Sequence, residues 1–391
     1  MADLLRACRT ALESGAILDL DLGTVESAWP NGCVPAAAAI QQYKEIGLEI
    51  NVNSESSRIK STSLRNPIQA TRENLASRRL MNTVWVYFDE TEASSLTNAL
   101  VAEMQKTVEL EDGVLEALNF CLYEILDNVF QHSRSNSGFL MATLTGRATR
   151  LALAIADTGI GVYNSFQGSE YNPPSHFDAL TPAIQAGVTS TGDKRGNGLF
   201  ALSGTAEKNR GRLVLHSGFG ELSVIGDRVT GRDRRGMPTI GPEHYGLFID
   251  WQLDLKQPVS LADILGMPPV NHQLEALETP SGQYAVRIAD HETGTGSRKA
   301  AEQLRLYLLN LLHQGAGSLV LDFDGVIVVS ASFADEVIGK LAEQFGPIGF
   351  WRKFQLVNMT TTIESLLDRA IRLRVSIEPP VPIERGTRSL N

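Results

Sequence analysis

The sequence predicts an α/β fold, because short apolar strand signals alternate with amphipathic helix signals along the chain. The strongest strand signal is LALAIAD at residues 151–157, a near-continuous apolar run that is typical of a buried strand. The strongest helix signal is LEALNFCLYEILDNVFQHS at residues 115–133, where apolar residues recur at helical spacing. The length of 391 residues predicts two or three domains, and the segments along the chain give a first unit at 1–80, a central second unit, a third unit at 260–378 and a disordered tail at 379–391.

The first unit begins with a helix, LLRACRTALES, which ends at Gly15. A strand (AILDLDL), a helix (VPAAAAIQQYKEIG) and a second strand (LEINVN) follow and make a small α/β layer. Residues 54–80 are polar and basic without a sustained period, so they form either a connector or a surface helix. A strand and a helix at residues 83–106 then begin the second unit.

The helix signal at residues 115–133 has an unusual polar seam. Glu124 and Asn128, at i and i+4, point the same way from adjacent turns. A carboxylate that deprotonates a nucleophile, one turn from a neutral oxygen ligand, suits a hard cation such as Mg²⁺. The alternative is a solvated helix face with two polar residues. The other polar positions of the seam are Asp127, Gln131 and His132, and the opposite face has Leu118, Leu122, Ile125, Leu126 and Val129.

The strand at residues 151–157 ends in DTGIG, which predicts a pocket for a flat ring. Asp157 at the strand end is able to accept a hydrogen bond from an exocyclic amine. Gly159 and Gly161 let a ring lie against bare backbone. An ordinary glycine turn after a strand is the alternative interpretation.

A third feature is GDKRGNGLFA at residues 192–201, which follows a long loop that predicts a lid. Gly196 and Gly198 lead into a helix whose N-terminal amides favour phosphate, and Lys194 and Arg195 add positive charge beside it. The chain has no GxxxxGK[ST] motif, which excludes a P-loop.

The order of these features resembles the GHKL, or Bergerat-fold, ATPases: an ExxxN helix, a DxGxG strand, a long loop and a GxG before a helix. This superfamily includes gyrase, Hsp90, MutL and the histidine-kinase catalytic domain. The resemblance covers about residues 84–255. Within the superfamily, this region is similar in type to the anti-sigma-factor serine kinases. The resemblance implies that the protein binds ATP and Mg²⁺, with Glu124 as the general base and Asn128 as the Mg²⁺ ligand.

The same resemblance assigns the remaining site residues. It implies that Asp157 recognises adenine and that Lys194 and Arg195 steady the γ-phosphate. The glycines of the pocket and lid would be Gly159, Gly161, Gly196 and Gly198.

The last strand of this unit, YGLFIDWQLDL, departs from the family pattern. The family has a Gly-Thr pair there, whose Thr supports the adenine Asp, whereas Leu247 follows Gly246 in this chain. Thr158, Thr239 or a water would have to supply the missing hydroxyl.

The third unit repeats the α/β pattern, and LDFDGVIVVSASFADEVIG at residues 321–339 resembles the STAS-like family of the DUF4325 type. Ser332 corresponds to the phosphoacceptor Ser of anti-sigma antagonists, although a Ser at a helix start is also an ordinary N-cap. The first unit resembles the STAS fold too, with Asn31 near the position of that Ser. The resemblances imply a Bergerat-type sandwich of a mixed sheet and helices, flanked by two small STAS-like domains.

Composition limits the class of protein and its partners. A net charge of −10 argues against binding nucleic acid or anionic membranes, whose affinity depends on neutralising phosphates. No apolar run reaches the roughly 18 residues of a membrane span, so a cytoplasmic protein is expected. Cys8, Cys33 and Cys121 are far apart, which indicates neither a disulfide framework nor a cysteine metal site.

Together these features predict a Mg-ATP-binding ATPase or serine-kinase-like switch. Its partners are expected to be STAS or other regulatory proteins, controlled through the STAS-like domains, and the resemblance favours a homodimer. The sequence leaves open whether the phosphoryl group goes to water or to protein. The alternative is a non-hydrolysing scaffold or interaction protein that ATP gates.

Overall fold

The structure is a computed structural model, and it describes residues 2–23, 25–53, 57–169, 171–188, 197–234, 245–266, 274, 277–290 and 295–375. The chain divides into two compact units, Met1–Val270 and Asn271–Asn391. Both units combine helices with a sheet, which confirms the predicted α/β class.

Two helices and a parallel pair of short strands open the first unit. Along the second of these strands, buried Ile50 and Val52 alternate with exposed Asn51 and Asn53, as expected for a strand with one covered face. The elements are α1 (Ala2–Ser14), β1 (Leu18–Asp21), α2 (Pro30–Glu45) and β2 (Ile50–Asn53).

A mixed sheet of eight strands forms the centre of the first unit. The strands are β3 (Ile68–Gln69), β4 (Trp85–Tyr87), β5 (Gly138–Thr145), β6 (Arg150–Asp157), β7 (Arg212–Ser217), β8 (Gly220–Ile225), β9 (Arg228–Asp233) and β10 (Phe248–Asp254). Their order across the sheet is β3-β4-β5-β6-β10-β7-β8-β9. The pair of β3 and β4 is parallel, and the neighbours from β4 to β9 are antiparallel.

Helices pack against this sheet and bring the predicted site together. The apolar side chains of α6 share one core with the face of the sheet that includes Leu153 and Ile155. The helices are α3 (Ser57–Lys60), α4 (Arg72–Ser77), α5 (Glu90–Thr107), α6 (Val114–Gln131), α7 (Gly161–Phe166), α8 (His176–Ala183), α9 (Gly198–Lys208) and α10 (Leu261–Leu265).

The opposite face of the sheet is covered by the N-terminal segment. Ala154 and Ala156 of β6 belong to a second core together with Ile40 and Tyr43 of α2. Both faces of β6 are therefore buried, which explains its near-continuous apolar run. The boundary near residue 80 stays a prediction, but the first 53 residues share a core with the central sheet.

The second unit contains a three-stranded parallel sheet in the order β11-β12-β13 (Tyr284–Arg287, Leu319–Asp322, Phe354–Val357). A short α-helix continues into a π-helical turn, Asp335–Gly339, where the predicted helix SFADEVIGKLAEQFG lies. The next helix bends at Gly346, whose φ is 68°. The helices are α11 (Arg298–His313), α12 (Ala331–Ala334), α13 (Lys340–Lys353) and α14 (Thr361–Val375).

Several predicted elements have the expected bounds, and others differ. The helix at 115–133 and the strand at 151–157 are confirmed as α6 and β6. Residues 54–80 contain α3, β3 and α4, so this stretch contributes a strand to the sheet as well as two short helices. The loop expected after Gly161 begins instead with α7. The predicted tail at 379–391 lies outside the described residues.

Candidate functional site

The polar seam of α6 faces a pocket. The apolar residues on the other side of the helix are all buried, and they fix its rotation relative to the sheet. Glu124 and Asn128 are half-buried and line the pocket. The buried residues predicted for that face are Leu118, Leu122, Ile125, Leu126 and Val129.

The pocket is partly open to solvent and combines a mainly apolar wall with a few polar side chains, an arrangement typical of small-molecule sites. Its walls come from α6, the ends of β6 and β10, α7, the end of α8 and the start of α9. Polar side chains are concentrated on α6 and at the end of β6, and the rest of the wall is mainly apolar. The apolar side chains are Ile125, Val129, Ile155, Val162, Phe166, Ala183, Val188, Leu199, Leu247 and Ile249.

The turn after β6 is fixed against the end of α6. Ile160 donates its backbone N–H to the carbonyl of Ser133 over 2.8 Å. A Cβ on Gly159 would lie 2.0 Å from that carbonyl oxygen, so a side chain is excluded there. Gly161 has a φ of +74°, and a Cβ on it would lie 2.7 Å from Ser217 Oγ. Both glycines of the DxGxG motif are therefore required by close packing and backbone conformation.

Asp157 is buried at the end of β6, and its exposed fraction is only 8%. Its Oδ1 accepts a hydrogen bond from the Gly159 N–H over 2.8 Å. Burial raises the pKa of Asp157 to about 6, while hydrogen bonds from the Gly159 and Leu247 backbones and from the Ser133 side chain oppose the rise. A carboxylate of this kind gains from a ligand that donates a hydrogen bond to it.

The first residue of α9 contacts the seam of α6. A Cβ on Gly198 would lie 2.9 Å from Glu124 Cβ and 3.3 Å from Asn128 Nδ2. The N-terminus of α9 is therefore close to both predicted polar residues. The first amides of an α-helix have no partner within the helix and attract negative charge, so this arrangement suits a phosphate beside Glu124 and Asn128.

Gly246, the residue before Leu247, is required by its backbone conformation and by close packing on Asp157. Gly246 has a φ of +58°, and a Cβ on it would lie 2.5 Å from the Asp157 carbonyl oxygen. Leu247 lines the pocket, and its carbonyl accepts from the Asp157 N–H over 3.0 Å. Ser133 supplies a hydroxyl near Asp157, a role that the sequence did not predict for it. Of the predicted substitutes, Thr158 lies 3.4 Å from the Ser135 hydroxyl, and Thr239 lies outside the described residues.

Five of the nine residues predicted for the nucleotide site line this pocket. Glu124, Asn128, Asp157, Gly161 and Gly198 line it. Gly159 packs on Ser133, behind the pocket wall. Lys194, Arg195 and Gly196 lie outside the described residues.

Ser332 lies in the second unit, near the start of α12. The N-cap of that helix is Ser330, whose hydroxyl accepts from the Phe333 N–H over 3.1 Å, so Ser332 does not have the N-cap role. Ser332 is half-buried, and its hydroxyl is 3.1 Å from that of Ser330. One turn further on, buried Glu336 is 2.7 Å from Lys340 Nζ.

Other residues of the site were not predicted. Val162, Ser165 and Phe166 of α7 line the pocket, but the two glycines before them favoured a loop in the sequence. Among the described residues, no group of three His, Cys, Asp or Glu side chains is arranged to hold a metal.

A family model described as a STAS-like domain of unknown function (DUF4325) matches residues 300–364. This range includes Ser332 and the π-helical turn. The match confirms a STAS-like domain in the second unit, while the GHKL resemblance of the first unit stays a prediction. No curated protein matches the chain. In the described ranges, no helix has both the length and the apolar character to cross a membrane.

Proposed function

We propose that the first unit binds Mg-ATP in the pocket beside α6 and acts as a GHKL-type ATPase or serine-kinase-like switch. The observation that carries the proposal is the convergence of Glu124, Asn128, Asp157 and Gly198 on one pocket from three separate elements. The three elements are far apart in sequence, and a solvated helix face or an ordinary glycine turn does not account for their meeting in one place.

Each residue has a role that its surroundings support. Asp157 accepts from the adenine amine at the end of β6. Asn128 offers a neutral oxygen to Mg²⁺, which neutralises phosphate charge when bound. Glu124 is the general base that takes a proton from water or a protein hydroxyl. The switch controls its protein partners through the STAS-like region. It acts as a homodimer.

The decisive test compares Glu124→Gln with the wild-type chain, using labelled Mg-ATP. We expect the variant to bind ATP with affinity within about threefold of wild type, because the amide keeps the shape of the carboxyl group. Its turnover is expected to fall by a factor of 100 or more, since the base is lost. Equal turnover in both proteins would remove Glu124 as the base.

The destination of the label separates the possible activities. Label released as free phosphate supports an ATPase, and label on Ser332 supports a kinase-like switch. Binding without turnover in the wild-type chain supports the alternative of a non-hydrolysing ATP-gated scaffold. A wild-type chain that binds no Mg-ATP overturns the proposal.

A further inference from the structure

Tyr87 on β4 lies in the same cross-strand row as Asp157. The sheet register pairs Tyr87 with Gly138 on β5, and it pairs Gly138 with Asp157 on β6. Trp85, Tyr87 and Ile155 all belong to the core on the α6 side of the sheet. Because side chains alternate along a strand, Tyr87 and Asp157 lie on this same face, two strands apart.

The ring of Tyr87 lies across Gly138. A Cβ at position 138 would be 2.2 Å from Tyr87 Cζ and 2.3 Å from its hydroxyl oxygen. The phenol oxygen therefore lies above the middle strand, on the way from β4 to β6. Neighbouring strands are about 4.8 Å apart, so the Tyr87 side chain covers the first of the two spacings that separate it from Asp157.

The Tyr87 hydroxyl is a buried donor. The residue has an exposed fraction of 0%, and its hydroxyl has no hydrogen-bond partner among the described residues. Burial, with the nearby charge of Asp157, raises the pKa of Tyr87 well above its usual value, so the hydroxyl keeps its proton. A buried hydroxyl without a partner is costly, which makes a partner in the functional protein expected.

The hydroxyl of Ser133, which lies near Asp157, has a second acceptor. Ser133 has a single hydroxyl proton, and the Val129 carbonyl accepts it over 2.6 Å. Ser133 thus shares its one proton between the Val129 carbonyl and Asp157, which leaves room for a second donor to the carboxylate. No threonine follows Gly246 to supply one either.

We infer that the Tyr87 hydroxyl donates a hydrogen bond to the Asp157 carboxylate, directly or through one water, and orients that carboxylate toward the exocyclic amine of a nucleobase. The ligand in this inference rests on the proposed function, whereas the bond between Tyr87 and Asp157 does not. Tyr87 is a positioning residue, because it acts on the ligand through Asp157. Gly138 is needed to leave room for the ring.

The test uses the full chain and a matched control. Tyr87→Phe removes the hydroxyl in question, and Tyr43→Phe removes another fully buried hydroxyl without a described partner, in the core behind the sheet. Among the described residues, the other titratable side chains that line the pocket are Glu124 and Asp127 on α6 and His132 directly after its end. Each Tyr variant is therefore also made in an Asp157→Ala background, which isolates Asp157 from these groups.

The first readout is the thermal unfolding midpoint at pH 5 and at pH 7.5, without nucleotide. We expect Tyr87→Phe to lower the midpoint more at pH 7.5, where Asp157 is ionised, and to have no such pH-dependent effect in the Asp157→Ala background. Tyr43→Phe is expected to change the midpoint equally at both pH values. If the two Tyr variants behave alike at both pH values, the inference is overturned.

The second readout is Mg-ATP affinity by calorimetry. Tyr87→Phe is expected to weaken binding about tenfold, the usual effect of losing one hydrogen bond to a charged group, and Tyr43→Phe to leave it unchanged. Unchanged affinity in Tyr87→Phe would overturn the orienting role. If the wild-type chain binds no Mg-ATP but the pH-dependent coupling is present, the Tyr87 bond stands and the nucleotide proposal alone fails.

Discussion

Asp157 determines how binding should depend on pH. Its pKa is raised to about 6 by burial, whereas an adenine amine needs the ionised carboxylate as acceptor. We expect Mg-ATP affinity to be constant above about pH 7 and to fall as pH decreases through 6. Titration calorimetry between pH 5 and 8 measures this change. The Asp157→Asn variant is the control, because the nucleotide titrates identically in both proteins and only the wild type has the additional group. Parallel pH profiles would contradict the assignment.

The same shift affects folding stability. Asp157 has a folded-state pKa near 6 against 3.8 for the model carboxyl, so the folded protein holds the proton more tightly. Its contribution to stability is full below about pH 4 and is lost as pH rises through 6, to the extent of about 3 kcal/mol. The wild type is expected to lose this amount relative to Asp157→Asn, and urea unfolding at pH 4 and pH 7.5 measures it. Ionised Asp157 thus lowers the folding stability at neutral pH, which is consistent with a residue that serves binding rather than folding.

Sequence spacing predicts some residues of the site and not others. Glu124 and Asn128 are one helical turn apart, and Asp157 ends an apolar strand, so local periodicity is enough to single them out. Tyr87 and Ser133 reach the site through the register of three strands and the turn after α6. Such contacts depend on tertiary packing, which no local pattern encodes.

At the scale of elements, the start of α9 packs closely against α6 and leaves no room for a side chain at Gly198. Alanine at position 198 would place its Cβ 2.9 Å from Glu124 Cβ, which forces the two helices apart. We expect Gly198→Ala to weaken Mg-ATP binding at least tenfold, because the α9 amides move away from the phosphate site. Equilibrium binding of a fluorescent ATP analogue measures this loss.

A second helical glycine provides the control for that substitution. A Cβ on Gly32, in the first turns of α2, would have no atom within 4 Å. Gly32→Ala is expected to stabilise the chain by up to about 1 kcal/mol through helix propensity and to leave binding unchanged. If Gly198→Ala also stabilises the chain and binds normally, the α9 start is not part of the site.

Helices with one hydrophobic period over several turns could be predicted from the sequence. Short elements that follow a change of backbone conformation could not. The amphipathic pattern predicts α6 because its stripe spans five turns. The six residues of α7 begin with Gly161, whose left-handed backbone allows the chain to turn directly from β6 into a helix. A short helix after two glycines has too few apolar repeats to be distinguished from a loop.

At the scale of the whole first unit, α2 is part of the site's scaffold. It packs against β5 and β6 on the face opposite the pocket, and its Asn31 side chain donates to buried Asp250 of β10 over 3.2 Å. A helix of residues 30–45 next to a two-stranded layer looks like a separate domain in sequence, because the partner surface lies more than 80 residues further along the chain. The sequence therefore predicts the elements of this segment but not their place.

Because α2 packs on β5 and β6, a substitution that destabilises α2 is expected to destabilise these two strands as well. Ile40 is 2% exposed in the core that α2 shares with β5 and β6, and Ile40→Ala should cost about 3 kcal/mol of unfolding free energy. Hydrogen exchange is then expected to increase in β5 and β6 as well as in α2. Ile17→Ala, at a side chain 55% exposed, is the control and should change neither. Faster exchange confined to the first 53 residues would mean that they fold independently, and the sheet would then not depend on α2 to bury its second face.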